Sequence, residues 1–394
     1  MVCCLSIEDA TVGARRYPPD RAWLSNPRNV SRQGNFGVRH IQCNDFQSLT
    51  TSASGTDSPS HDHTGSMGAK HNATTTVPGV RAVIAKNKTV EIVDIPLPLG
   101  EGTRLRVTNA GICGSDLHIL EWGISDIVLG HEFGGYDEAG TLWAVRPKSS
   151  CGTCDTCDRD LAHLCRDATK DMNGISAQGG LAEEVIVPVD RLIPLPSTVR
   201  SHEVGLVEPL AVVMHGLRRG RVETGMETAV VGGGSIGLLT VAALLHRGAS
   251  VDVYARHEHQ RLAAERLGAN VHSSDEHPNA VHDVVFDAVC NQESFDSSIA
   301  ACRPAGTMVE FGMFWTPVTM SNEVMFKEIS VVPSLYYSHN HDHDDFVDAG
   351  EVLGDMPDLS DTIVTHRFTI EEAVEAFRVA ADRKSGSIKV HINP

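Results

Sequence analysis

The segment that decides the fold is Thr228-Ala229-Val230-Val231-Gly232-Gly233-Gly234-Ser235-Ile236-Gly237. Its apolar first half is typical of a buried strand, and its second half holds a Gly-x-Gly-x-x-Gly pattern that opens an apolar helical stretch. Between a strand and a helix, this pattern is typical of a dinucleotide-binding loop, because glycines permit the tight turn and the close approach of the pyrophosphate to the helix amino terminus. We therefore expect a dinucleotide cofactor to bind Gly232, Gly234, Ser235, Ile236 and Gly237.

Alternating strands and helices surround this loop. The sequence predicts strands at 228–231, 251–255, 284–289 and 307–312 and helices at 213–221, 235–246 and 259–267. Such alternation argues for a doubly wound parallel sheet and hence for an α/β fold. Further along, the pattern predicts a strand at 363–368, a helix at 370–381 and a final strand at 388–392. The run of His and Asp at 339–345 is expected to be a solvated loop.

The segment after the second of these strands bears on the choice of cofactor. In dinucleotide-binding folds this strand normally ends in a carboxylate that binds the ribose 2′-hydroxyl. Here the chain continues as Ala255-Arg256-His257, and Asp252 lies too early, inside the strand. Because this strand end has a cationic side chain, Arg256, and lacks the carboxylate, we expect NADP rather than NAD. Arg256 and His257 are the candidate contacts. In the alternative interpretation, Arg256 only opens the next helix and the adenine stacks on it.

The chain before residue 210 has a different pattern. Short strand-like segments alternate with Gly and Pro turns at 80–85, 89–95, 105–109, 140–145 and 181–187. They predict an all-β, barrel-like unit over residues 78–209. Residues 1–77 lack either periodicity and are rich in Ser, Thr, Asn, Gly and His, so we expect a disordered leader. The first convincing strand follows closely on Met67, which predicts that translation starts there and that the leader is not native.

Composition and charge exclude several classes of protein. The 394 residues carry 51 Asp and Glu against 33 Lys and Arg, a net charge of −18 that disfavours nucleic-acid binding. The excess lies in residues 78–394, which hold 45 acids and 26 bases, a net charge of −19. Only eight of the 33 basic residues are Lys, and the rest are Arg. Adaptation to high salt and a high-GC genome explain this low share of Lys equally well. With no apolar run of roughly 20 residues and no signal peptide, we expect a cytoplasmic protein without a membrane partner.

Four cysteines form one compact motif, Cys-x2-Cys-x2-Cys-x7-Cys, at Cys151, Cys154, Cys157 and Cys165. In a reducing compartment, clustered cysteines are more often metal ligands than disulfides. Four thiolates at this spacing predict a closed, structural zinc site. An iron–sulfur cluster is the sharper alternative, but the sequence lacks the Cys-Pro and the second cluster motif of bacterial ferredoxin runs. A disulfide pair in an oxidised protein is a further alternative.

A second group of ligand-type residues is expected to form an open metal site. Cys113 starts the segment Cys-Gly-Ser-Asp-Leu-His, and His131-Glu132 follows further along the chain. A thiolate, an imidazole and a carboxylate suit a catalytic zinc that keeps one position open. Asp116 is expected to hold the second ring nitrogen of His131. Glu208 is a further candidate that binds the metal directly or through its water.

These motifs together resemble the zinc-dependent alcohol dehydrogenases of the medium-chain dehydrogenase/reductase superfamily, in the polyol (sorbitol) dehydrogenase-like branch. The resemblance spans about residues 80–394 and includes Gly179-Gly180-Leu181-Ala182-Glu183 and Glu208-Pro209-Leu210 besides the motifs above. It implies a GroES-like β-barrel catalytic domain at 78–209 that holds two zinc ions, and a Rossmann domain at 210–336. It also implies that residues 337–394 return to the catalytic domain.

The resemblance also implies roles for single residues. Cys113, His131 and Glu132 would surround the catalytic zinc, with Glu208 completing or adjoining the shell. Ser115 and His118 would form a proton relay, and Lys389 would lie near the pyrophosphate. Two departures from the family pattern are a short stretch between His131 and Cys151 and a cysteine, Cys290, where glycine is common.

The implied activity is the reversible oxidation of an alcohol or polyol to a carbonyl, with hydride transfer to NADP or NAD, by a homodimer or homotetramer. A sugar 1-dehydrogenase of the glucose dehydrogenase type, using NADP, shares nearly every motif and is the first alternative. A non-catalytic NADPH-binding redox sensor is the second. The intact set of Cys113, His131 and Glu132 argues against the sensor, because a sensor does not need an open zinc site.

Overall fold

The computed structural model describes residues 79–276 and 278–394. The predicted leader and the predicted start at Met67 therefore lie outside the described residues. Within the part of the chain that is described, no helix is long and apolar enough to cross a membrane.

The first part of the described chain forms two mainly antiparallel sheets. Its strands are β1 Gly79–Lys86, β2 Thr89–Pro96, β3 Thr103–Ile112, β4 Ile127–Val128, β5 Glu132–Tyr136, β6 Leu142–Val145, β7 Glu184–Val187 and β8 Leu192–Pro194. One sheet has the order β2-β1-β4, and in the other β3 pairs with both β5 and β7. Short strands and frequent turns thus give the β unit that the sequence predicts.

A six-stranded parallel sheet follows in the chain. Its strands are β9 Glu227–Val231, β10 Ser250–Ala255, β11 Asn270–Ser273, β12 His282–Asp287, β13 Cys302–Glu310 and β14 Ser330–Pro333. The order β11-β10-β9-β12-β13-β14 is that of the doubly wound dinucleotide-binding fold. The order reverses between β9 and β12, so the crevice at the carboxyl ends of these two strands is the expected ligand site. The predicted α/β fold class is confirmed.

Two further strands, β15 Val364–Thr369 and β16 Lys389–Asn393, bring the end of the chain back to the first part. They pair in parallel with each other, and β16 pairs antiparallel with β3, with Val390 opposite Ile112. The pairing places the last residues of the chain beside the start of the Cys-Gly-Ser-Asp segment.

The helices are α1 Gly114–Trp122, α2 Val207–Arg219, α3 Ser235–His246, α4 Glu258–Leu267, α5 Gln292–Ala301, α6 Glu323–Phe326, α7 Asp345–Asp355, α8 Leu359–Ile363 and α9 Ala373–Ala381. The predicted bounds of α3 agree with the structure. The helix predicted at 213–221 begins earlier, at Val207, because Pro209 lies in its first turn, where a missing N–H costs no hydrogen bond. The strand predicted at 284–289 ends earlier, at Asp287, because the Asp287 carboxylate accepts the N–H groups of residues 289 and 290 and turns the chain.

The main core lies between the parallel sheet and the helices α2 and α3. Leu238, Leu239 and Val241 of α3 and Leu210 and Val213 of α2 are fully buried there. Because α3 is apolar on nearly every side, its amino terminus is held firmly at the carboxyl end of β9. The predicted cofactor loop is therefore anchored at both ends by well-packed elements, β9 and α3.

Candidate active site

Strand pairing brings the three predicted catalytic-zinc ligands together. Strands β3 and β5 pair so that Gly111 lies opposite Glu132, which places Cys113 just beyond the end of β3 next to His131 just before β5. One ligand atom of each of Cys113, His131 and Glu132 lies within 4.8 Å of the others. His131 and Glu132 are buried, and Cys113 is partly exposed, so the group opens on its thiol side.

Asp116 supports this group through charge, and the expected hydrogen bond to His131 is not formed. Its carboxylate lies 3.7 Å from His131 Nδ1, beyond hydrogen-bond distance. It accepts the backbone N–H of Cys113 at 2.8 Å instead and so caps α1. Burial alone would lower the pKa of His131, but the Cys113 sulfur and the Asp116 carboxylate raise it well above its usual value. Among the described residues His131 Nδ1, the ring nitrogen on the Asp116 side, has no hydrogen-bond partner.

Glu208 and Lys389 complete the buried charges of the site. Glu208 lies in the first turn of α2, where burial, opposed by the nearby His131, raises its pKa to about 7. The Lys389 ammonium forms an ion pair with the Glu132 carboxylate and donates to the carbonyl of Ile112 at 3.2 Å. The Lys389 ammonium therefore lies beside Glu132 of the candidate zinc-ligand group. The resemblance implied instead that Lys389 lies beside the pyrophosphate. All the contacts described for its ammonium lie within this group.

The predicted relay residues lie on the outer side of α1. Ser115 Oγ is 3.5 Å from Cys113 Sγ, and His118 Nδ1 is 3.1 Å from a Glu121 carboxylate oxygen. The His118 ring also packs against Trp122 and, at 4.6 Å between centroids, against Trp315. No hydrogen bond joins Ser115 to His118 within the described ranges, so the relay stays a prediction.

Three residues near this site escaped the sequence analysis. Trp315, in the segment after β13, had no sequence signal, because its contact with His118 depends on tertiary packing. Lys148 is buried, donates to the carbonyl of His163 at 2.8 Å and lies 3.3 Å from the centroid of the Tyr336 ring. Burial lowers its pKa to about 8. The contact of Trp122 with His118 could have been predicted from the sequence, because the two residues lie one helical turn apart.

The four cysteines of the second motif form a compact lobe. Their sulfur atoms approach at 3.9 Å for Cys151–Cys157, 3.5 Å for Cys154–Cys157 and 3.8 Å for Cys154–Cys165. Thiolates bound to one zinc at about 2.3 Å in a tetrahedron lie about 3.8 Å apart, so this spacing fits a single ion. The Thr156 hydroxyl lowers the pKa of Cys154, whereas burial raises the pKa of its neighbour Cys157. All four are free thiols, which argues against the disulfide alternative.

The glycine loop fits a dinucleotide. Gly232 has φ +108°, and a Cβ atom there would lie 2.5 Å from the side chain of Val289. A Cβ atom on Gly237 would lie 1.9 Å from the carbonyl oxygen of Gly232, so the helix can approach the strand only with glycine there. The space around Gly234 is open, and the buried Ser235 hydroxyl has no partner among the described residues. These are the features that a pyrophosphate cradle needs.

The residues that bear on the cofactor's ribose lie at the end of β10. The Arg256 side chain is 59% exposed and pairs loosely with Glu293 at 3.1 Å. The Asp252 carboxylate accepts from Asn270 at 3.0 Å and contacts His282 at 3.0 Å, so it is engaged away from the carboxyl end of the strand. His257 is the N-cap residue just before α4, and its ring stacks on that of His259.

Comparisons with known proteins agree with this architecture. The family model for the alcohol dehydrogenase GroES-like domain matches residues 101–197, and the model for zinc-binding dehydrogenases matches residues 235–351. The chain is 30% identical over 345 residues to L-idonate 5-dehydrogenase of Vitis vinifera, covering 78% of this chain and 92% of the relative. It is 27% identical over 311 residues to L-galactonate-5-dehydrogenase of Escherichia coli (strain K12), covering 72% and 89%.

Among solved structures, the chain resembles a putative zinc-binding dehydrogenase from Sinorhizobium meliloti 1021 bound to NADP. The TM-score is 0.73 and the identity 26%, over 80% of this chain and all of that one. The fold and the site thus define a zinc-binding dehydrogenase. The chain belongs to the zinc-dependent alcohol dehydrogenases of the medium-chain dehydrogenase/reductase superfamily and is an oxidoreductase, which confirms the resemblance drawn from its motifs.

Proposed function

We propose that this enzyme oxidises a secondary alcohol of a polyol or sugar acid reversibly to a carbonyl, with NADP as hydride acceptor. The observation that carries the proposal is the convergence of Cys113, His131 and Glu132, whose ligand atoms lie within 4.8 Å of one another. The names of the relatives support the substrate class, since they include L-idonate 5-dehydrogenase and sorbitol dehydrogenase. A homodimer or homotetramer and a cytoplasmic location belong to the same proposal.

Two zinc ions per chain are part of the proposal. Cys113, His131 and Glu132 would hold the catalytic ion with Glu208 adjoining, and Cys151, Cys154, Cys157 and Cys165 would hold the structural one. The catalytic ion would supply a Lewis acid that lowers the pKa of the substrate hydroxyl. We assign residues 78–209 and 337–394 to the domain that holds both ions and residues 210–336 to the cofactor domain.

The side chains around the catalytic group would move the proton and balance the charge. Glu208 is a buried carboxylate beside this group and would accept or release a proton there. Ser115, next to Cys113, and His118, one turn further along α1, provide the route to solvent. Lys389 offsets the negative charges of Cys113 and Glu132.

The cofactor would lie across the carboxyl ends of β9 and β12. The loop from Gly232 to Gly237 would hold the pyrophosphate at the start of α3, and Arg256 would bind a 2′-phosphate. The exposed Arg256 and the engaged Asp252 support NADP, because within the described residues β10 itself ends in no carboxylate, and the extra phosphate would have to displace only the exposed Glu293 from Arg256. His257 is the further candidate contact.

The direct test is a panel of polyols, sugar acids, simple secondary alcohols and aldoses, each assayed with NADP and with NAD. We expect the highest kcat/KM with a polyol or sugar acid and NADP. Highest turnover of an aldose would instead identify a sugar 1-dehydrogenase. No turnover of any class, with the metal sites filled, would contradict the proposal.

A variant tests the catalytic site itself. Cys113→Ser removes the thiolate ligand, so we expect one zinc fewer per chain and a kcat lower by about a thousandfold, since a Lewis acid supplies several kcal/mol. Metal analysis and steady-state kinetics measure both. Cys302→Ala, at a buried cysteine of β13, is the control and should leave the rate nearly unchanged. Full activity of Cys113→Ser would reject the assignment.

A further inference from the structure

A second group of ligand-type side chains lies in the parallel sheet, away from Cys113 and the four-cysteine lobe. Asp287 ends β12 and Glu310 ends β13, and the two are paired across these neighbouring parallel strands. Cys290 follows in the turn after β12. One ligand atom from each of Asp287, Cys290 and Glu310 lies within 4.8 Å of the others. The sequence analysis noted Cys290 only as a departure from the glycine of the family.

Glu310 lacks a cationic partner among the described residues. It is only 4% exposed, and neither of its carboxylate oxygens has a hydrogen-bond partner among the described residues. Buried carboxylates in folded proteins are ordinarily hydrogen-bonded, paired with a cation or bound to a metal. The carboxylate lies within reach of the Cys290 sulfur and the Asp287 carboxylate, neither of which supplies positive charge. Without a cation, burial raises the pKa of Glu310 and favours its protonated form, and a bound cation would replace that proton.

The turn after β12 is built to present the thiol to Glu310. Asp287 Oδ1 accepts the N–H groups of Val289 at 2.8 Å and Cys290 at 3.0 Å, and the Ser294 hydroxyl donates to Oδ2 at 2.8 Å. Cys290 itself has φ +65°, a conformation that non-glycine residues rarely adopt. Gly312 leaves room for the sulfur, since a Cβ atom there would lie 2.4 Å from Cys290 Sγ.

We propose that Asp287, Cys290 and Glu310 bind one divalent transition-metal ion such as zinc. A thiolate with two carboxylates is a ligand set that such ions accept. Ligand atoms around tetrahedral zinc lie about 3.3 to 3.8 Å apart, so small side-chain rotations suffice to close the present group around an ion. A water molecule would take the fourth position.

This ion would stabilise the wall of the cofactor crevice. Val289 lies within the turn between two of the ligands, and its side chain packs directly on Gly232 of the glycine loop. Fixing the turn at both ends holds Val289 against that loop. We therefore expect loss of the ion to weaken dinucleotide binding as well as to lower the stability of this sheet edge.

The test is metal content per chain. The full-length protein is purified with zinc in excess, dialysed into metal-free buffer and analysed by inductively coupled plasma mass spectrometry. Cys290→Ala and Glu310→Leu should each hold one ion fewer than the unsubstituted chain and bind NADP several-fold more weakly. Cys302→Ala is the matched control, because it removes a buried cysteine of the same sheet that faces no carboxylate cluster, and it should lose no ion.

Equal metal content in all four proteins would overturn the proposal. Glu310→Leu keeps the test decisive if Cys290→Ala does not fold, because it replaces an unpartnered buried carboxylate by an apolar side chain. The result is also independent of the proposed active site. Cys113→Ser removes a different ion, so the difference between variant and parent reports on this group whatever the total number of ions.

Discussion

At the scale of the residue, the buried charges of the active site depend on Lys389. Burial would lower the pKa of its ammonium, but the Glu132 carboxylate and the Cys113 sulfur raise it above the usual value. A permanent cation thus stands beside three groups that can be negative, Cys113, Glu132 and Glu208. Because breaking a buried ion pair leaves an uncompensated charge, Lys389 is as much a part of the site as the ligands.

Arg256 decides between the two interpretations of the cofactor loop. If it binds the 2′-phosphate, Arg256→Ala should lower kcat/KM with NADP tenfold or more, since a hydrogen bond to a charged group is worth about 1.5–3 kcal/mol. With NAD the same variant should change kcat/KM less than about threefold. Arg266→Ala, an exposed arginine of α4, is the control for loss of surface charge. An equal loss with both cofactors would favour the alternative, in which adenine only stacks on Arg256.

His391 predicts a pH dependence of stability. It lies fully buried in β16, and neither ring nitrogen has a hydrogen-bond partner among the described residues. Burial lowers its pKa well below the usual value, and Lys389 lowers it further. The folded protein therefore keeps His391 neutral, while the unfolded chain binds a proton below about pH 6.5. The free energy of unfolding therefore keeps its full value above about pH 6.5 and falls as the pH decreases below it.

The variant His391→Leu should remove this dependence. We expect the free energy of unfolding in urea to fall between pH 6.5 and 5.5 by about 1 kcal/mol less in the variant than in the unsubstituted protein. His366→Leu changes a partly exposed histidine of the neighbouring strand and should leave the slope unaltered. The same slope in His391→Leu and in the parent would show that another group is responsible.

Among the helices and strands, those whose formation depends on residues close together in the chain were predicted well from the sequence. The strand β9, the glycine loop and α3 follow from one local pattern, so their bounds were predicted closely. The start of α2 was missed because the residue before a proline usually lies outside a helix, while here Pro209 occupies the first turn. The run at 339–345 was expected to be solvated, yet Asp345 is fully buried and begins α7.

Asp345 is buried because it joins α7 to α2. Its carboxylate accepts from Arg218 at 2.9 Å and from the backbone N–H of Ser338 at 2.6 Å, and it contacts His215 at 3.1 Å. Asp345→Asn leaves Arg218 without its buried partner, so we expect a loss of about 3 kcal/mol in the free energy of unfolding. The loss is measured by urea denaturation.

Asp348 supplies the matched control for this joint. It binds the same guanidinium of Arg218 at 2.6 Å, but its side chain is 32% exposed. Asp348→Asn should therefore cost less than about 1 kcal/mol, as partly solvated ion pairs do. Equal losses in the two variants would mean that burial of Asp345 does not govern the strength of the joint.

At the scale of the whole molecule, the parts that sequence left open depend on long-range pairing. Lys389 donates to the carbonyl of Ile112, a residue 277 positions earlier, and only the pairing of β16 with β3 brings them together. The ligands Cys113 and His131 were predictable from residue type, but the position of Glu208 beside them required the packing of α2. Glu310 had no sequence signal, because its pairing with Asp287 follows from sheet order.

The net charge of −19 over residues 78–394 makes a prediction for the molecule as a whole. Like charges on a compact chain repel one another, and salt screens the repulsion, with a Debye length near 10 Å at 0.1 M and 3 Å at 1 M. Salt also weakens surface ion pairs, but exposed pairs contribute little to stability. Repulsion should therefore dominate, and we expect Tm to rise by about 3–6 °C between 0.05 and 1 M KCl.

A charge variant separates this effect from general effects of salt. Glu138, Asp190 and Glu351 are exposed and form no ion pair with any described residue. The triple variant Glu138→Gln, Asp190→Asn, Glu351→Gln lowers the repulsion without breaking a pair, so its Tm should be higher at low salt and rise less with KCl. Calorimetry at matched KCl concentrations measures both, with chloride used because sulfate also strengthens apolar burial. A parallel rise in the variant and the parent would show that the acidic surface does not limit the stability of the enzyme.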